Sequence, residues 1–244
     1  MSQKTRIEWT EYSWNPVTGC SKISDGCKNC YAEKMALRLK SMKNERYKNG
    51  FDITLQKDLL KIPFMWKKPR MVFVNSMSDL FHESIPVEYI KEVFIVMNQC
   101  PQHTFQILTK RSERLLELSS ELNWTHNIWM GVSIENMKSK YRLSQLKKTK
   151  AKTKFISFEP LLEHVDINSL HGIDWVIVGG ESGPKAREMK EEWAISLRDK
   201  CIEQHVPYFF KQWGGFYKKK KGRLLDGIEW SDMPKGKVDY NLSK

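Results

Sequence analysis

The sequence lacks any long apolar run. No stretch approaches the roughly 18 apolar residues that a membrane span requires, and residues 1–9 contain no apolar signal-peptide core. We therefore expect a cytoplasmic protein without a membrane partner. Disorder as the main state is also excluded, because aromatic residues reach 11% and apolar residues 40% of the chain.

Cysteine is scarce, and its count is odd. The chain has five cysteines, which argues against a disulfide framework in a cytosolic protein. Cys100 and Cys201 stand alone and are expected to be small buried hydrophobic residues. Cys20, Cys27 and Cys30 lie close together and need a separate explanation.

Acidic residues are fewer than basic ones. Lys and Arg number 41 against 29 Asp and Glu, so the formal net charge is +12. This charge favours polyanionic partners, and we expect the partner to be a nucleic acid or a nucleotide. The alternative explanation of the charge is a lysine-rich solvated surface, because the scattered lysines form no pattern typical of base recognition.

The chain length of 244 residues fits one domain, residues 1–244. Six apolar runs, at residues 71–74, 104–108, 127–132, 154–157, 174–178 and 207–210, recur at about 27-residue intervals, which leaves room for a βαβ unit at each step. Helical patterns fall between them, at residues 86–94, 112–122 and 191–205.

This alternation predicts an α/β fold with a parallel sheet. We expect a partial (β/α) barrel of about six parallel strands at residues 70–213, with one further strand near residues 7–14, and a doubly wound open sheet as the alternative. A cysteine loop at residues 17–33 precedes the barrel, and an irregular extension at residues 214–244 follows it.

The cysteine loop has the spacing Cys-x6-Cys-x2-Cys, formed by Cys20, Cys27 and Cys30. Three thiolates in one short loop match iron–sulfur or zinc ligation. Structural zinc requires four ligands, and His82 or a distant cysteine would have to supply the fourth. An iron–sulfur cluster fits three cysteines more directly, with one iron left open for a small molecule.

The cysteine loop, which follows a predicted strand and opens a helix, resembles that of radical S-adenosylmethionine (SAM) enzymes. The whole chain is similar to a phage-associated three-cysteine family of unknown function that is described as radical-SAM-like. Residues 14–20, 74–82, 157–161 and 179–184 carry this likeness. It implies a 4Fe-4S cluster (3Fe-4S after loss of the open iron on isolation), bound SAM, and a location in a bacterial or phage-infected cell.

Two features differ from the usual radical-SAM pattern. The first cysteine gap is three residues longer than in Cys-x3-Cys-x2-Cys, and the Gly179-Gly180-Glu181 trio follows a late strand instead of an early one. Cleavage of SAM therefore stays open at this point, while the cluster prediction does not depend on either feature.

Polar residues follow every predicted strand, at the edge where ligands bind in parallel α/β folds. Their predicted roles are grouped by chemistry. We expect Cys20, Cys27 and Cys30 to bind metal, Gly179, Gly180, Glu181, Lys110, Arg111 and Lys211 to bind cofactor or anionic substrate, and Glu135, Glu159 and His82 to transfer protons. The acidic and basic residues of this set are expected to pair around a central cavity. The acidic ones are Glu135, Glu159 and Glu181, and the basic ones are Lys110, Arg111 and Lys211.

Together these features predict an iron–sulfur enzyme of radical-SAM-like architecture that acts on a nucleotide or nucleic acid. The alternative is a non-catalytic nucleic-acid-binding protein that zinc or a cluster stabilises. The basic stretches 34–48 and 218–221 motivate this alternative. Four nearby aromatic residues are candidates for base stacking, namely Tyr47, Trp66, Trp213 and Tyr217.

Overall fold

We analysed a computed structural model of the chain, which describes residues 3–5, 7–216 and 222–234. The strands found there are β1 (Gln3–Lys4), β2 (Tyr12–Trp14), β3 (Val17–Thr18), β4 (Thr54–Leu55), β5 (Met71–Val74), β6 (Thr104–Thr109), β7 (Ile128–Ser133), β8 (Thr153–Phe158), β9 (Trp175–Gly179), β10 (Tyr208–Gln212), β11 (Leu224–Leu225) and β12 (Ile228–Glu229). The α-helices are α1 (Tyr31–Ser41), α2 (Val87–Asn98), α3 (Ser112–Leu118), α4 (Tyr141–Lys148) and α5 (Glu191–Glu203).

The main sheet has the order β1-β2-β5-β6-β7-β8-β9-β10. β1 pairs antiparallel with β2, and every other neighbouring pair is parallel. The seven parallel strands curl into a half-barrel, as predicted, with β2 as the expected additional strand. Because parallel strands end at one edge, the loops after β2 and β5–β10 share a single rim.

Helices α2 to α5 cover one face of the sheet, while α1 packs on Met77 after β5. Apolar strand residues on this face, such as Val74, Ile107 and Val178, form one buried cluster with helical residues such as Ile90 and Leu197. The opposite face is also buried, by a second apolar cluster. Because both faces of the strands are buried, the strands appear as continuous apolar runs in the sequence.

The opposite, concave face carries a cluster of large rings. This aromatic floor consists of Trp9, Phe73, Trp129, Phe155, Trp175 and Phe209. Trp175 is fully buried at its centre, and its ring meets four of the others at centroid distances of 5.7 to 6.1 Å. These contacts fix the curvature of the half-barrel by packing.

Nearer the rim, the concave face becomes polar. Ser133 lies opposite Ser157 in the β7–β8 register, and Ser157 lies opposite Ile177 of the same concave face. Within the described residues, the Ser133 and Ser157 hydroxyls are buried without a hydrogen-bond partner. Buried polar groups of this kind usually indicate an interaction that bound water or a ligand would complete.

The predicted helices are confirmed with shifted ends, whereas α4 was missed, because it is short and strongly basic. The basic stretch 34–48 is only partly α-helical, because α1 ends at Ser41 and a short 3-10 helix, Glu45–Tyr47, follows. The described part of the C-terminal extension contains the β11–β12 hairpin. Tyr217 and the 218–221 lysines lie outside the described residues.

Among the helices that the structure describes, none has the length and apolar character needed to cross a bilayer.

Candidate metal and cofactor site

The cysteine loop leaves the rim directly after β2. Gly19 forms a parallel bridge with Ser78 of the loop after β5, and the Cys20 N–H donates to the Phe51 carbonyl at 3.0 Å. Gly19 has a φ of +88°, a conformation that glycine adopts without strain. The backbone contacts hold the first cysteine at the rim.

The three loop cysteines are all partly exposed, whereas Cys100 and Cys201 are buried as predicted. Cys27 ends a short 3-10 helix, Asp25–Cys27, and Cys30 immediately precedes α1. Both cysteines therefore lie before the α-helix. A hydrogen bond of 3.3 Å from the Cys30 N–H to the Cys27 carbonyl forms the turn between them.

Glu135, which was predicted to transfer protons, is completely buried beneath the cysteine loop. Its carboxylate accepts from the Ser24 hydroxyl at 2.6 Å and from Arg142 Nη1 at 2.8 Å, and Lys110 Nζ lies 3.8 Å away. A Cβ atom at Gly26 would come within 2.5 Å of Glu135, so only glycine permits this close approach. The geometry makes Glu135 an anchor for the loop.

Glu181 forms a second anchor on the other side of the loop. It accepts hydrogen bonds from Asn29 Nδ2 at 2.9 Å and from the Arg187 guanidinium at 2.6 and 3.0 Å. Arg187 also donates to the Asp25 carbonyl at 2.9 Å, so both residues contact the cysteine loop. Burial raises the pKa of Glu181, but the hydrogen bonds from Arg187 and Asn29 outweigh burial and lower the pKa overall.

Arg111 and His82 contact Ser21, the residue after Cys20. Arg111 Nη2 donates to the Ser21 hydroxyl at 2.9 Å and to its carbonyl at 3.1 Å. The His82 Nδ1 atom accepts from the Ser84 N–H at 3.1 Å, which places the ring proton on Nε2, where it points at the Ser21 hydroxyl at 2.8 Å. Burial, and then the charge of Arg111, lower the pKa of His82 and favour this neutral form.

Lys211 and Glu159 form an ion pair on the concave side of the rim, with Nζ and Oε1 2.5 Å apart. Gly179 lies two residues after Ile177 of the concave face, and a Cβ atom there would lie 3.3 Å from Lys211 Cβ and 3.7 Å from Glu159 Cδ, which places both side chains on the concave side. This pair matches the predicted meeting of acidic and basic side chains, as does Lys110 with Glu135. Arg111 instead pairs with Glu83, and Glu181 with Arg187.

Gly179 and Gly180 pack tightly against the end of β10. A Cβ atom at Gly180 would lie 2.0 Å from the Trp213 carbonyl oxygen, and the Gly180 N–H already donates to the Gln212 carbonyl at 3.0 Å. The glycine pair is explained by this close approach of two backbones.

The thiol of Cys20 lies in a mixed electrostatic environment. Burial, and next the Asp79 carboxylate, raise its pKa to about 11, while Arg111 acts in the opposite direction. A metal-free Cys20 therefore stays protonated near neutral pH, and a bound metal would displace the proton. Within the part of the chain that the structure describes, no three His, Cys, Asp or Glu side chains are grouped to hold a single metal ion.

Sequence reasoning missed several of the residues that hold the loop. Ser24 and Asn29 gave no signal, because their partners lie 111 and 152 residues away. Arg142 gave no signal either, because α4 was not predicted and only the structure shows Arg142 buried with Leu143 and Leu146. A buried arginine requires an acidic partner, and Glu135 is the nearest candidate in sequence.

The fold and the site define a class: an α/β half-barrel with a three-cysteine loop fastened over the carboxyl ends of its strands. A sequence model of the family described as "Protein of unknown function (DUF5131)" matches residues 4–234. The chain belongs to this family. No curated protein matches the sequence.

Solved structures of spore photoproduct lyase share the fold. A mutant with bound AdoMet and dinucleoside spore photoproduct aligns with a TM-score of 0.50 and 12% identity, over 84% of this chain and 65% of the lyase. A mutant with the dinucleoside spore photoproduct gives 0.51 and 12%, over 84% and 64%. Another mutant gives 0.50 and 10%, over 86% and 78%. The chain spans about two thirds of the first two lyase chains, and at this identity the likeness shows the fold alone.

Proposed function

We propose that this protein is an iron–sulfur enzyme of the radical-SAM type that acts on a nucleotide or nucleic-acid substrate. The observation that carries the proposal is the position of the cysteine loop. Two buried carboxylates, Glu135 and Glu181, fasten it to the carboxyl-terminal rim of a parallel half-barrel, where ligands bind in such folds. We further propose that residues 1–244 form one domain.

The donor set fits an iron–sulfur cluster better than zinc. Cys20, Cys27 and Cys30 would hold the cluster, each on a different iron, so their thiols need not converge on one point. The fourth zinc ligand considered from the sequence, His82, has both ring nitrogens engaged by Ser21 and Ser84. When bound, a four-iron cluster with one open iron would supply the electron that cleaves SAM reductively.

The positive charges near the cysteines favour anionic ligands. Lys22 interacts electrostatically with both Cys27 and Cys30, and Arg111 lies beside Cys20. A cluster with three thiolates carries negative charge, so these cations would stabilise it.

The Lys211–Glu159 pair is the best candidate for contact with cofactor or substrate. Both side chains are partly accessible and face the concave side, near the buried Ser157 hydroxyl, which like that of Ser133 has no partner within the described residues. Lys211 Nζ would bind an anionic group, and Glu159 Oε1 would accept a proton from substrate. Glu135 and Glu181 are fully engaged by other groups, so we assign to them the positioning of the loop.

A nucleotide or nucleic-acid substrate is supported by charge and by analogy. The net charge is +12, and exposed basic residues surround the cysteine loop, namely Lys22, Lys28, Lys34, Arg38 and Lys40. The lyase that shares the fold binds a dinucleoside photoproduct and AdoMet.

The second candidate, a non-catalytic nucleic-acid-binding protein, rests on the same basic surface. The aromatic residues proposed for base stacking give it less support. Trp66 is buried in an edge contact with His103, and Trp213 donates its indole N–H to the Leu224 carbonyl at 2.8 Å. Salt-dependent binding of single strands without any SAM turnover would favour this candidate.

The test is anaerobic reconstitution with iron and sulfide. We expect about four irons per chain, a thiolate-to-iron absorbance band in the visible range, and 5′-deoxyadenosine after addition of dithionite and SAM. Cys20→Ala, Cys27→Ala and Cys30→Ala should each lose most of the iron. Cys201→Ala, which removes a buried thiol far along the chain, is the matched control and should keep it.

The outcomes separate the candidates. A loaded cluster without 5′-deoxyadenosine would leave a binding or electron-transfer protein. Zinc in place of iron, or iron that persists after all three loop substitutions, would contradict the proposal. A three-iron signal that appears only after exposure to air would indicate loss of the open iron.

A further inference from the structure

Arg111 is a charged side chain that contacts a predicted cluster ligand. Its Nη2 atom lies 4.0 Å from the Cys20 sulfur, and it reaches that position through its two hydrogen bonds to Ser21. The Arg111 side chain is 8% exposed, so water screens its charge weakly. Its guanidinium points at the first cysteine from a site that the surrounding backbone fixes.

The remaining nitrogens of Arg111 face two carboxylates. Nη1 pairs with the exposed carboxylate of Glu83, and Nε lies 4.0 Å from the Asp79 carboxylate. Nη1 and Nη2 are therefore engaged by Glu83 and Ser21, whereas Nε is buried and has no hydrogen-bond partner within the described residues. The predicted role of Arg111 in binding an anionic substrate would require it to give up its contacts with Ser21 and Glu83.

We propose that Arg111 instead sets the reduction potential of the cluster that Cys20 would ligate. Reduction adds one electron and one negative charge to a cluster without breaking a bond, so a nearby fixed cation stabilises the reduced form more than the oxidised form. Hydrogen bonds and charges near ligand sulfurs are known determinants of cluster potentials. The inference rests on the proposed function, because it requires a cluster on the cysteine loop.

The neighbouring carboxylates make the sign of the effect testable. Asp79 is fixed in place by hydrogen bonds from the Thr109 hydroxyl at 2.6 Å and the Lys110 N–H at 3.0 Å. Glu83 is exposed and contacts Arg111 from the solvent side. Both carboxylates carry the charge opposite to that of Arg111. Removal of either carboxylate charge should therefore shift the reduction potential of the cluster in the direction opposite to the shift caused by removal of Arg111.

The experiment is a redox titration of the reconstituted protein, followed by electron paramagnetic resonance of the reduced cluster. Arg111→Gln should lower the midpoint potential, with about a tenfold fall in the reduction equilibrium constant, or about 59 mV for one electron. Arg111→Lys should recover part of the shift. Glu83→Gln should move the potential upward by a smaller amount, because its charge is solvated.

Two controls separate electrostatics from loss of structure. Arg198→Gln removes a similarly enclosed arginine whose carboxylate partners, Asp199 and Asp226, are remote from the cysteine loop, and should leave the potential unchanged. Iron content is measured for every variant. If Arg111→Gln does not load, the opposite shifts of Arg111→Lys and Glu83→Gln still test the inference.

The results that overturn the inference differ from those that overturn the proposed function. The role of Arg111 alone would be contradicted if the cluster forms in the unaltered protein but both Arg111 variants change its reduction equilibrium constant by less than twofold. A shift of the same sign in Glu83→Gln and Arg111→Gln would contradict an electrostatic cause. A protein that forms no cluster at all contradicts both proposals.

Discussion

The aromatic floor and the rim above it belong to the same strands but are stabilised by different forces. The floor is a cluster of interlocking rings with few polar atoms, and its energy comes from burial and shape. The rim holds the cysteine loop with directional bonds between charged groups, such as Glu135 with Arg142 and Glu181 with Arg187.

The difference shows how the protein separates stability from function. Packing is non-directional and tolerates small displacements, but it fixes the strand spacing and the curvature of the half-barrel. Charge-assisted hydrogen bonds are directional, so they place individual atoms of a loop that has little apolar surface of its own. Floor substitutions should therefore affect global stability, and rim substitutions should affect metal loading.

The largest expected effect is on the floor. Trp175→Ala should lower the free energy of unfolding by about 3–5 kcal/mol, because it leaves a cavity at the centre of the ring cluster. Urea unfolding measures the loss, and Trp230→Ala, at a partly exposed ring, should cost clearly less. An equal loss in both variants would show that the floor has no special role.

The second effect tests the first anchor of the loop. Glu135→Gln breaks the buried ion pair with Arg142 and should cost about 3 kcal/mol, because an unpaired charge stays buried. It should also reduce the iron bound on reconstitution several-fold. Glu203→Gln, the same change in the exposed pair with Lys200, should cost at most about 0.5 kcal/mol and leave iron binding intact. Full iron loading in Glu135→Gln would mean that the anchor is dispensable.

The smallest effect depends on pH. The folded pKa of Glu181 is lower than its ordinary value of 4.5, so its ionised form contributes stability above pH 4.5, and this contribution is lost as the pH falls toward the lowered pKa. Glu181→Gln should therefore cost about 1–3 kcal/mol near neutral pH. The gap in melting temperature between the two proteins should narrow below pH 4.5. A gap that stays constant with pH would show that ionisation of Glu181 contributes nothing.

Much of the fold was predictable from the sequence. The six apolar runs correspond to β5–β10, because buried parallel strands need apolar residues on both faces. The cysteine spacing identified the loop, and the strand ends identified Lys110, Glu135, Glu159 and Lys211 as rim residues. The helix α4 and the true ends of α1 were not predictable, since their basic sequences have weak amphipathic patterns.

The pairing of the rim side chains was only partly predictable. The expectation that Glu181 holds a cofactor came from a local Gly-Gly-Glu motif, but the structure binds this carboxylate to Arg187 and Asn29. Local sequence shows which groups reach an edge, and it does not show which of several cations each carboxylate will meet.

The sequence by itself determined the alternation of strands and helices, and the order of the three thiols along one loop, because both depend on residues close together in the chain. Only the tertiary structure decided that Ser24 meets Glu135, Asn29 meets Glu181 and Arg111 faces Cys20. These partners are 91 to 152 residues apart, and parallel strand order alone brings them to one rim.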